Sequence, residues 1–449
     1  MYRISHTPGI LMTVMGLALI PFTGEGTNAS PNGPQVRLDA GFSNPVLTSG
    51  TSQKTFVKVG VTGFELARAS DRAPVNIALV LDTSGSMSGE KITRAKEAAQ
   101  MAIERLSVND IVSVVTYNST AEVLVPATRL TDKASIVAAI ESLQAEGSTA
   151  LFAGVSKGAA ELRKFKKDDR VNRIVLLSDG QANIGPNTAN ELGALGQSLI
   201  KEGISVTTLG LGLDYNEDLM AKLAIKSDGN HAFVEKAQEL AKFFKLEFGD
   251  VLSAVAQEVA IKVEFADGVR PLRALGREVE IFEKSAFALI NQLYSSHEKY
   301  LLLEVDVDSQ VPGTKKLGQV TVTYMNLQTQ KTDTLVSDLS VRFTESTEEV
   351  ASNVDNEVSS LAVKQIATST NDEALKLRDD GKVEEAQKLL EENYNYLMLN
   401  ATKLNDKDLE KLGQSQADQS VQIEDATNWG YMRKTMRKWQ QKQTQDSRY

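Results

Sequence analysis

Val75-Asn76-Ile77-Ala78-Leu79-Val80-Leu81-Asp82-Thr83-Ser84-Gly85-Ser86 decides the reading of this chain. It opens as a nearly continuous apolar run, the composition of a parallel strand covered on both faces rather than of one that alternates between core and water. The run stops at an acid, Asp82, and serines follow at alternate positions. A second apolar run, Val171-Asn172-Arg173-Ile174-Val175-Leu176-Leu177, leads into Ser178-Asp179-Gly180. In open α/β sheets ligands bind outside the carboxyl ends of the strands, where the strand order reverses. Asp82, Ser84 and Ser86, together with Thr149 of Gly147-Ser148-Thr149 and Asp179, are therefore expected at one edge of one sheet. All five side chains offer oxygen, the donor that a hard divalent cation takes.

D-x-S-x-S, a later G-x-T and a still later S-D-G together resemble the metal-ion-dependent adhesion site of von Willebrand factor type A domains. The resemblance runs from Pro74 to Gly249. It implies an α/β fold, a doubly wound and mostly parallel sheet with helices on both faces. It also implies Mg²⁺ as cofactor, with Mn²⁺ or Ca²⁺ as substitutes. Ser84, Ser86 and Thr149 would contact the cation directly, and Asp82 and Asp179 directly or through water. The implied partner is a protein that supplies an Asp or Glu carboxylate to an open coordination position.

The segments between and after the two runs alternate as such a fold requires. Helices are expected over 90–106, 132–143 with Thr131 as N-cap, 150–165, 188–202, 216–225 and 238–248. Strands are expected over 110–117, 121–125 with Pro126 ending the strand, 204–209 and 231–234. Outside this region the period changes to two. Val57, Val59 and Val61 alternate with Lys58, Gly60 and Thr62, and Val259, Ile261, Val263 and Phe265 alternate with Glu258, Ala260, Lys262 and Glu264. These are half-buried strands, and further ones are expected over 36–38, 301–307, 318–325 and 338–343. The early strands have no partners in the parallel sheet. The expectation is an antiparallel β-sandwich built from both flanks, 30–70 and 251–345, with the α/β domain of 71–250 inserted in it. Residues 346–427 read as helical, and Ala374 to Leu390 resembles one hairpin of a tetratricopeptide repeat, which must pack on something else to bury its face. Residues 428–449, with Tyr431, Arg433, Lys434, Arg437, Lys438 and Trp439, read as a basic, solvated tail, with contact to an acidic partner or a lipid surface as the other reading.

At 449 residues two or three domains are expected. A formal charge of -10 supplies no basic face for nucleic acid. Cysteine is absent, which excludes disulfides, thiolate metal sites and cysteine nucleophiles. Met1 to Ala29 has one basic residue, Arg3, then an apolar core from Gly9 to Ile20 and small residues at Thr27 and Ala29. This is the pattern of a cleaved secretion signal, so a secreted or periplasmic protein is expected, with an uncleaved membrane anchor and association with the envelope as the alternative.

Enzymatic readings find less support in the residues. Phosphatases of the haloacid dehalogenase type need an acid two positions after the first aspartate, where this chain has Ser84. The chain has three histidines, His6, His231 and His297. His231 opens a strand, and His297-Glu298 lacks the second histidine of a zinc protease helix. Gly210-Leu211-Gly212 has no third glycine to complete a dinucleotide fingerprint, and Asp214 beside it reads as a cap. The expectation is a non-catalytic, metal-dependent binding protein for adhesion or complex assembly. The alternatives are a metal-dependent hydrolase and a type A subunit of a chelatase or ATPase-coupled assembly. The domain layout resembles bacterial secreted relatives of the inter-alpha-trypsin inhibitor heavy chains and chloride-channel-regulator-like proteins, without the latter's protease segment.

Overall fold

A computed structural model describes residues 35–68, 71–167 and 169–445. The export signal expected over 1–29 lies outside the described residues. Among those described, no helix is long and apolar enough to cross a membrane.

The first strands are β1 (Arg37–Phe42), β2 (Val46–Thr48) and β3 (Gln53–Thr62). The α/β domain follows as β4 (Val75–Asp82), α1 (Glu90–Arg105), β5 (Ile111–Tyr117), β6 (Ala121–Arg129), α2 (Lys133–Glu141), α3 (Leu151–Arg163), β7 (Val171–Ser178), α4 (Ala189–Ile200), β8 (Ile204–Leu211), α5 (Glu217–Lys226), β9 (His231–Val234) and α6 (Leu240–Val251). Its sheet has the order β6-β5-β4-β7-β8-β9 and is parallel except for β5 with β6. From β4 the chain builds outward to β5 and β6, then returns to the other side for β7, β8 and β9. The order therefore reverses between β4 and β7, and both acids of the motif lie at the carboxyl ends of those two strands.

Each of β4, β7 and β8 is buried along its whole length, and the period-two geometry divides their side chains between two cores. Ile77, Leu79 and Leu81 pack with Ala95, Ala99 and Ile103 of α1 and Phe244 and Phe248 of α6. Ala78 and Val80 pack on the other face with Leu151 and Val155 of α3, beside Leu219 and Leu223 of α5. Continuous apolar strands are thus explained by helices on both faces.

The remaining strands are β10 (Ala254–Phe265), β11 (Val269–Leu275), β12 (Glu280–Phe282), β13 (Ser285–Tyr294), β14 (Glu298–Val307), β15 (Gly313–Asn326) and β16 (Lys331–Thr344). They form two sheets, β1-β3-β14-β11 and β12-β13-β10-β15-β16-β2. The β3 strand pairs with β14 from Thr62↔Glu298 to Gln53↔Val307, so strands from both flanks of the α/β domain share one sheet. Val57, Val59 and Val61 face Val259, Ile261 and Val263 across one core. The sandwich is antiparallel apart from β2, a three-residue edge strand that the sequence did not suggest and that runs parallel to β16.

The sandwich and the α/β domain meet through buried charge. Arg173 of β7 is fully buried and lies 3.5 Å from Glu247 of α6. Its guanidinium also donates to Thr207 at 3.0 Å, to Gln292 at 2.6 Å and to the hydroxyl of Tyr294, the last two on β13. Asp228 accepts from Lys299 at 2.9 Å and from Arg277 at 2.5 Å. Burial alone would raise its pKa, but these two cations outweigh burial and hold it at about 2.

The helical region is α7 (Thr347–Ser352), α8 (Asn356–Asp379), α9 (Val383–Leu404), α10 (Lys407–Gln422) and α11 (Trp429–Gln445). The expected hairpin is the turn from α8 to α9. Val358 and Ala362 of α8 cover Leu275, Tyr300 and Leu302 of the sandwich, while its other side joins α9 and α10 through Val363, Ala367, Leu397 and Leu409. The tail expected over 428–449 differs most from the sequence reading. Its residues 429–445 form α11, which is held against the α/β domain and α8. Arg433 pairs with Glu217, Asp218 and Asp379, Lys434 with Glu217 at 2.5 Å, and Arg437 with Asp218 at 2.8 Å and with Asp372. The acidic partner of the basic stretch is this chain itself, and four carboxylates far away in sequence were invisible to a local reading of charge.

Candidate metal centre

The loop after β4 carries the motif's first three residues. Asp82 is the last residue of that strand and has no exposed surface. Its Oδ1 accepts from the backbone amide of Ser84 at 2.8 Å, and its Oδ2 accepts from Ser178 Oγ at 2.7 Å. A short 3₁₀ turn over Gly85–Met87 then brings Ser86 back beside Ser84, with the two hydroxyls 3.1 Å apart. Ser86 Oγ donates in turn to Asp179 Oδ1 at 2.6 Å.

Thr149 comes from the segment leading into α3. Its backbone amide donates to Asn183 Oδ1 at 2.8 Å, and the Asn183 amide donates back to the Thr149 carbonyl at 3.1 Å. The segment is also tied to the first loop, because Gly85 N donates to the Gly147 carbonyl at 3.0 Å. Gly180 shows how closely the pieces meet. A Cβ built on it would lie 3.2 Å from Ser86 Oγ and 3.6 Å from Thr149 Oγ1, so the absent side chain leaves both hydroxyls facing the same small space. The structure thus brings all five residues together: a hydroxyl–carboxylate chain through Ser84, Ser86 and Asp179, with Thr149 across the space and Asp82 beneath.

The electrostatics fit a cation. Burial pushes the Asp82 carboxyl above its ordinary value, against the opposing effect of its bonds from Ser84 and Ser178, and the nearby Asp179 charge adds to the rise. Tyr117, which donates to the Leu177 carbonyl at 2.9 Å beneath the site, is also pushed well up by burial and by the charge of Asp82. Two carboxylates and three hydroxyls give an all-oxygen donor set with two negative charges, suited to a hard divalent cation rather than to a thiolate- or imidazole-seeking ion. Among the described residues no group of three or more His, Cys, Asp or Glu could hold a metal. The donor set therefore depends on its hydroxyls.

Sequence reasoning assigned no role to four residues around the site. Ser178 and Asn183 hold Asp82 and Thr149 in place, and Gly180 keeps the space open. Lys91, in the first turn of α1, donates from Nζ to Asp179 Oδ2 at 2.5 Å. The S-D-G motif had named Ser178 and Gly180 without giving them a role, the only hint of Asn183 was its nearness to Asp179 in the chain, and Lys91 gave none beyond its place after the serine loop.

The other sequence candidates have structural explanations. His231 is buried, with one ring nitrogen 2.8 Å from Thr208 Oγ1 and the other 3.4 Å from the Tyr215 hydroxyl. Burial depresses its pKa to about 4, so it is neutral at pH 7. His297 sits in the turn before β14, and Glu298 begins a strand, so there is no helix to carry a zinc pair. Gly210 lies within β8 against the Tyr215 ring, and α5 is capped by Asn216, whose side chain accepts from Leu219 N at 3.1 Å, rather than by Asp214.

Residues 76–246 match the family model of the von Willebrand factor type A domain. An uncharacterized protein of Synechocystis sp. is 31% identical over 285 residues, which is 61% of this chain and 67% of that one. The chain belongs to the von Willebrand factor type A family. The human inter-alpha-trypsin inhibitor heavy chain H3 is 27% identical over 177 residues, 37% of this chain and 19% of the heavy chain, so the likeness spans about a fifth of that protein. Among solved structures, a von Willebrand factor type A protein from Catenulispora acidiphila superposes with a TM-score of 0.69 at 17% identity, over 85% of this chain and 89% of the other. That agreement concerns the fold and reaches beyond the type A domain itself.

Proposed function

We propose that this type A protein is a non-catalytic binding protein. Its site holds one divalent cation, Mg²⁺ in the first instance, and uses it to capture an Asp or Glu carboxylate of a protein partner. The observation that carries this reading is the chain from Ser84 through Ser86 to Asp179, with Thr149 facing the same space beside Gly180 and Asp82 buried next to it. Asp82 and Asp179 supply two charges, and the neutral hydroxyls complete the donor set without adding more. A bound Mg²⁺ would supply Lewis acidity toward an incoming oxygen anion. Asp82 is clamped by Ser84 and Ser178, and Asp179 by Ser86 and Lys91, so neither acid needs to reorganise when a ligand arrives. Capture rather than turnover is favoured because the histidine of this domain, His231, is buried, neutral and engaged with Thr208 and Tyr215. The name of the heavy-chain relative, an inhibitor component, agrees with a role in protein association.

The same proposal places the protein outside the cytoplasm, on the strength of the apolar segment that follows Arg3. N-terminal sequencing of protein from its native host should then begin at or near Ser30, and a chain retaining Met1 in a cytoplasmic fraction would contradict that placement. The binding reading is tested by capture from the native envelope fraction in Mg²⁺. Chelator should release the partner, Mg²⁺ should restore capture, and free acetate in excess should compete. Metal-dependent hydrolysis of a phosphate ester or peptide that Asp82→Asn abolishes would instead make Asp82 a catalytic residue and end the binding account.

A further inference from the structure

Asp179 has no exposed surface, and each of its oxygens is engaged by a different donor on the same stretch of chain. Ser86 Oγ holds Oδ1 at 2.6 Å, and Lys91 Nζ holds Oδ2 at 2.5 Å. Lys91 is placed by backbone geometry rather than by side-chain reach alone. The 3₁₀ turn of Gly85–Met87 carries the chain past the serines, and Gly89, at φ +76, supplies a left-handed residue from which α1 starts at once. Lys91 therefore stands in the first turn of the helix that the serine loop leads into, with its side chain 30% exposed. Its neighbour Glu90 is directed elsewhere, toward Arg94 and Gln238.

The ammonium changes the charge of the site. Asp82 and Asp179 alone sum to -2, and with Lys91 to -1. A divalent cation brings these totals to 0 and +1 respectively. The first sum suits metal retention, and the second suits an anionic ligand.

We propose that Lys91 is a specificity-determining residue of this site, a fixed ammonium on Asp179 that weakens the hold on the cation and strengthens the hold on the incoming carboxylate. The inference rests on the metal-binding reading above. It predicts a site that is only partly filled by Mg²⁺ on its own and fills when a carboxylate arrives, so that metal and partner bind with positive coupling.

The test is calorimetric titration of the full chain with Mg²⁺ alone, and of the Mg²⁺-saturated chain with acetate as the probe. Lys91→Met removes the charge while keeping an unbranched side chain of similar length, and Lys91→Arg restores it. Lys91→Met should bind Mg²⁺ about tenfold more tightly, given an opposing charge a few ångströms away in a partly exposed site, and should bind acetate several-fold more weakly. Lys91→Arg should return both affinities toward wild type. A merely structural role for Lys91 would weaken both ligands together, because damage to the loop does not improve one of them. Unchanged or weaker Mg²⁺ binding by Lys91→Met, or unchanged acetate binding, overturns the proposal while leaving the metal site standing. Absence of Mg²⁺ binding by the wild-type chain overturns the site itself and the proposal with it.

Discussion

Replacing Arg173 by Met isolates what the buried charge between the type A domain and the sandwich contributes. The guanidinium is fully buried, 3.5 Å from Glu247, and it donates to Thr207, Gln292 and Tyr294. Methionine fills much of the same volume, so the loss is chiefly electrostatic. Glu247 remains buried, keeping hydrogen bonds from Thr207 at 2.6 Å and Asn230 at 3.0 Å. Removing one partner of a buried pair costs roughly 3–5 kcal/mol, and the two retained bonds place this case toward about 3 kcal/mol. Urea unfolding followed by circular dichroism should show that loss. The double variant Arg173→Met, Glu247→Met removes the stranded charge and should regain at least about 1 kcal/mol over the sum of the single losses. Mg²⁺ affinity should not change, because Arg173 lies near the amino end of β7 and Asp179 follows its carboxyl end. A loss below about 1 kcal/mol, or strict additivity in the double variant, would refute the view that Arg173 and Glu247 form a strongly coupled buried pair behind the bonds that Arg173 makes to Gln292 and Tyr294 of the sandwich.

His231 sets a pH dependence. Its folded pKa of about 4 lies below the ordinary 6.5, so the unfolded chain takes up the proton first. The stabilisation is complete above pH 6.5 and is lost as pH falls toward 4, by roughly 3 kcal/mol, and His231→Gln should flatten that part of the stability profile. Gly180→Ala places a methyl 3.2 Å from Ser86 Oγ, and calorimetry should show weaker Mg²⁺ binding with little change in melting temperature. Arg433→Met breaks the pairs to Glu217, Asp218 and Asp379, and limited proteolysis should then release α11 as a C-terminal fragment that the wild-type chain retains.

The parts of the fold written as local periodicity were legible. The nearly continuous apolar runs of β4 and β7 announced burial on both faces, and alternation around Val57 and Val259 announced the sandwich. The helix expected from Thr188 has that residue as its N-cap, in a capping box with Glu191. Departures arose where a distant group changes the local rule. Pro126 was expected to end its strand, yet β6 continues to Arg129. This is an edge strand, the register slips between Val112 and Val114 opposite, and the amide after the proline is satisfied by Glu161. The N-cap of α2 is Asp132, which accepts from Ser135 N, one residue beyond the expected Thr131. The five site residues were readable because three short motifs carry them. Lys91 and the docking of α11 were not, since each depends on a carboxylate that only the tertiary fold brings near.

The central claim, that Asp82, Ser84, Ser86, Thr149 and Asp179 form one divalent-cation site, is tested most directly by titrating Mg²⁺ into the wild-type chain and into Asp82→Asn. The account predicts one-to-one binding by the wild type. At a hundred-fold excess over the dissociation constant the fold should gain about 2.7 kcal/mol, seen as a rise in melting temperature. The Asp82→Asn chain should lose both the heat of binding and the rise while remaining folded. Equal Mg²⁺ binding by the two chains, or none by the wild type, would contradict it.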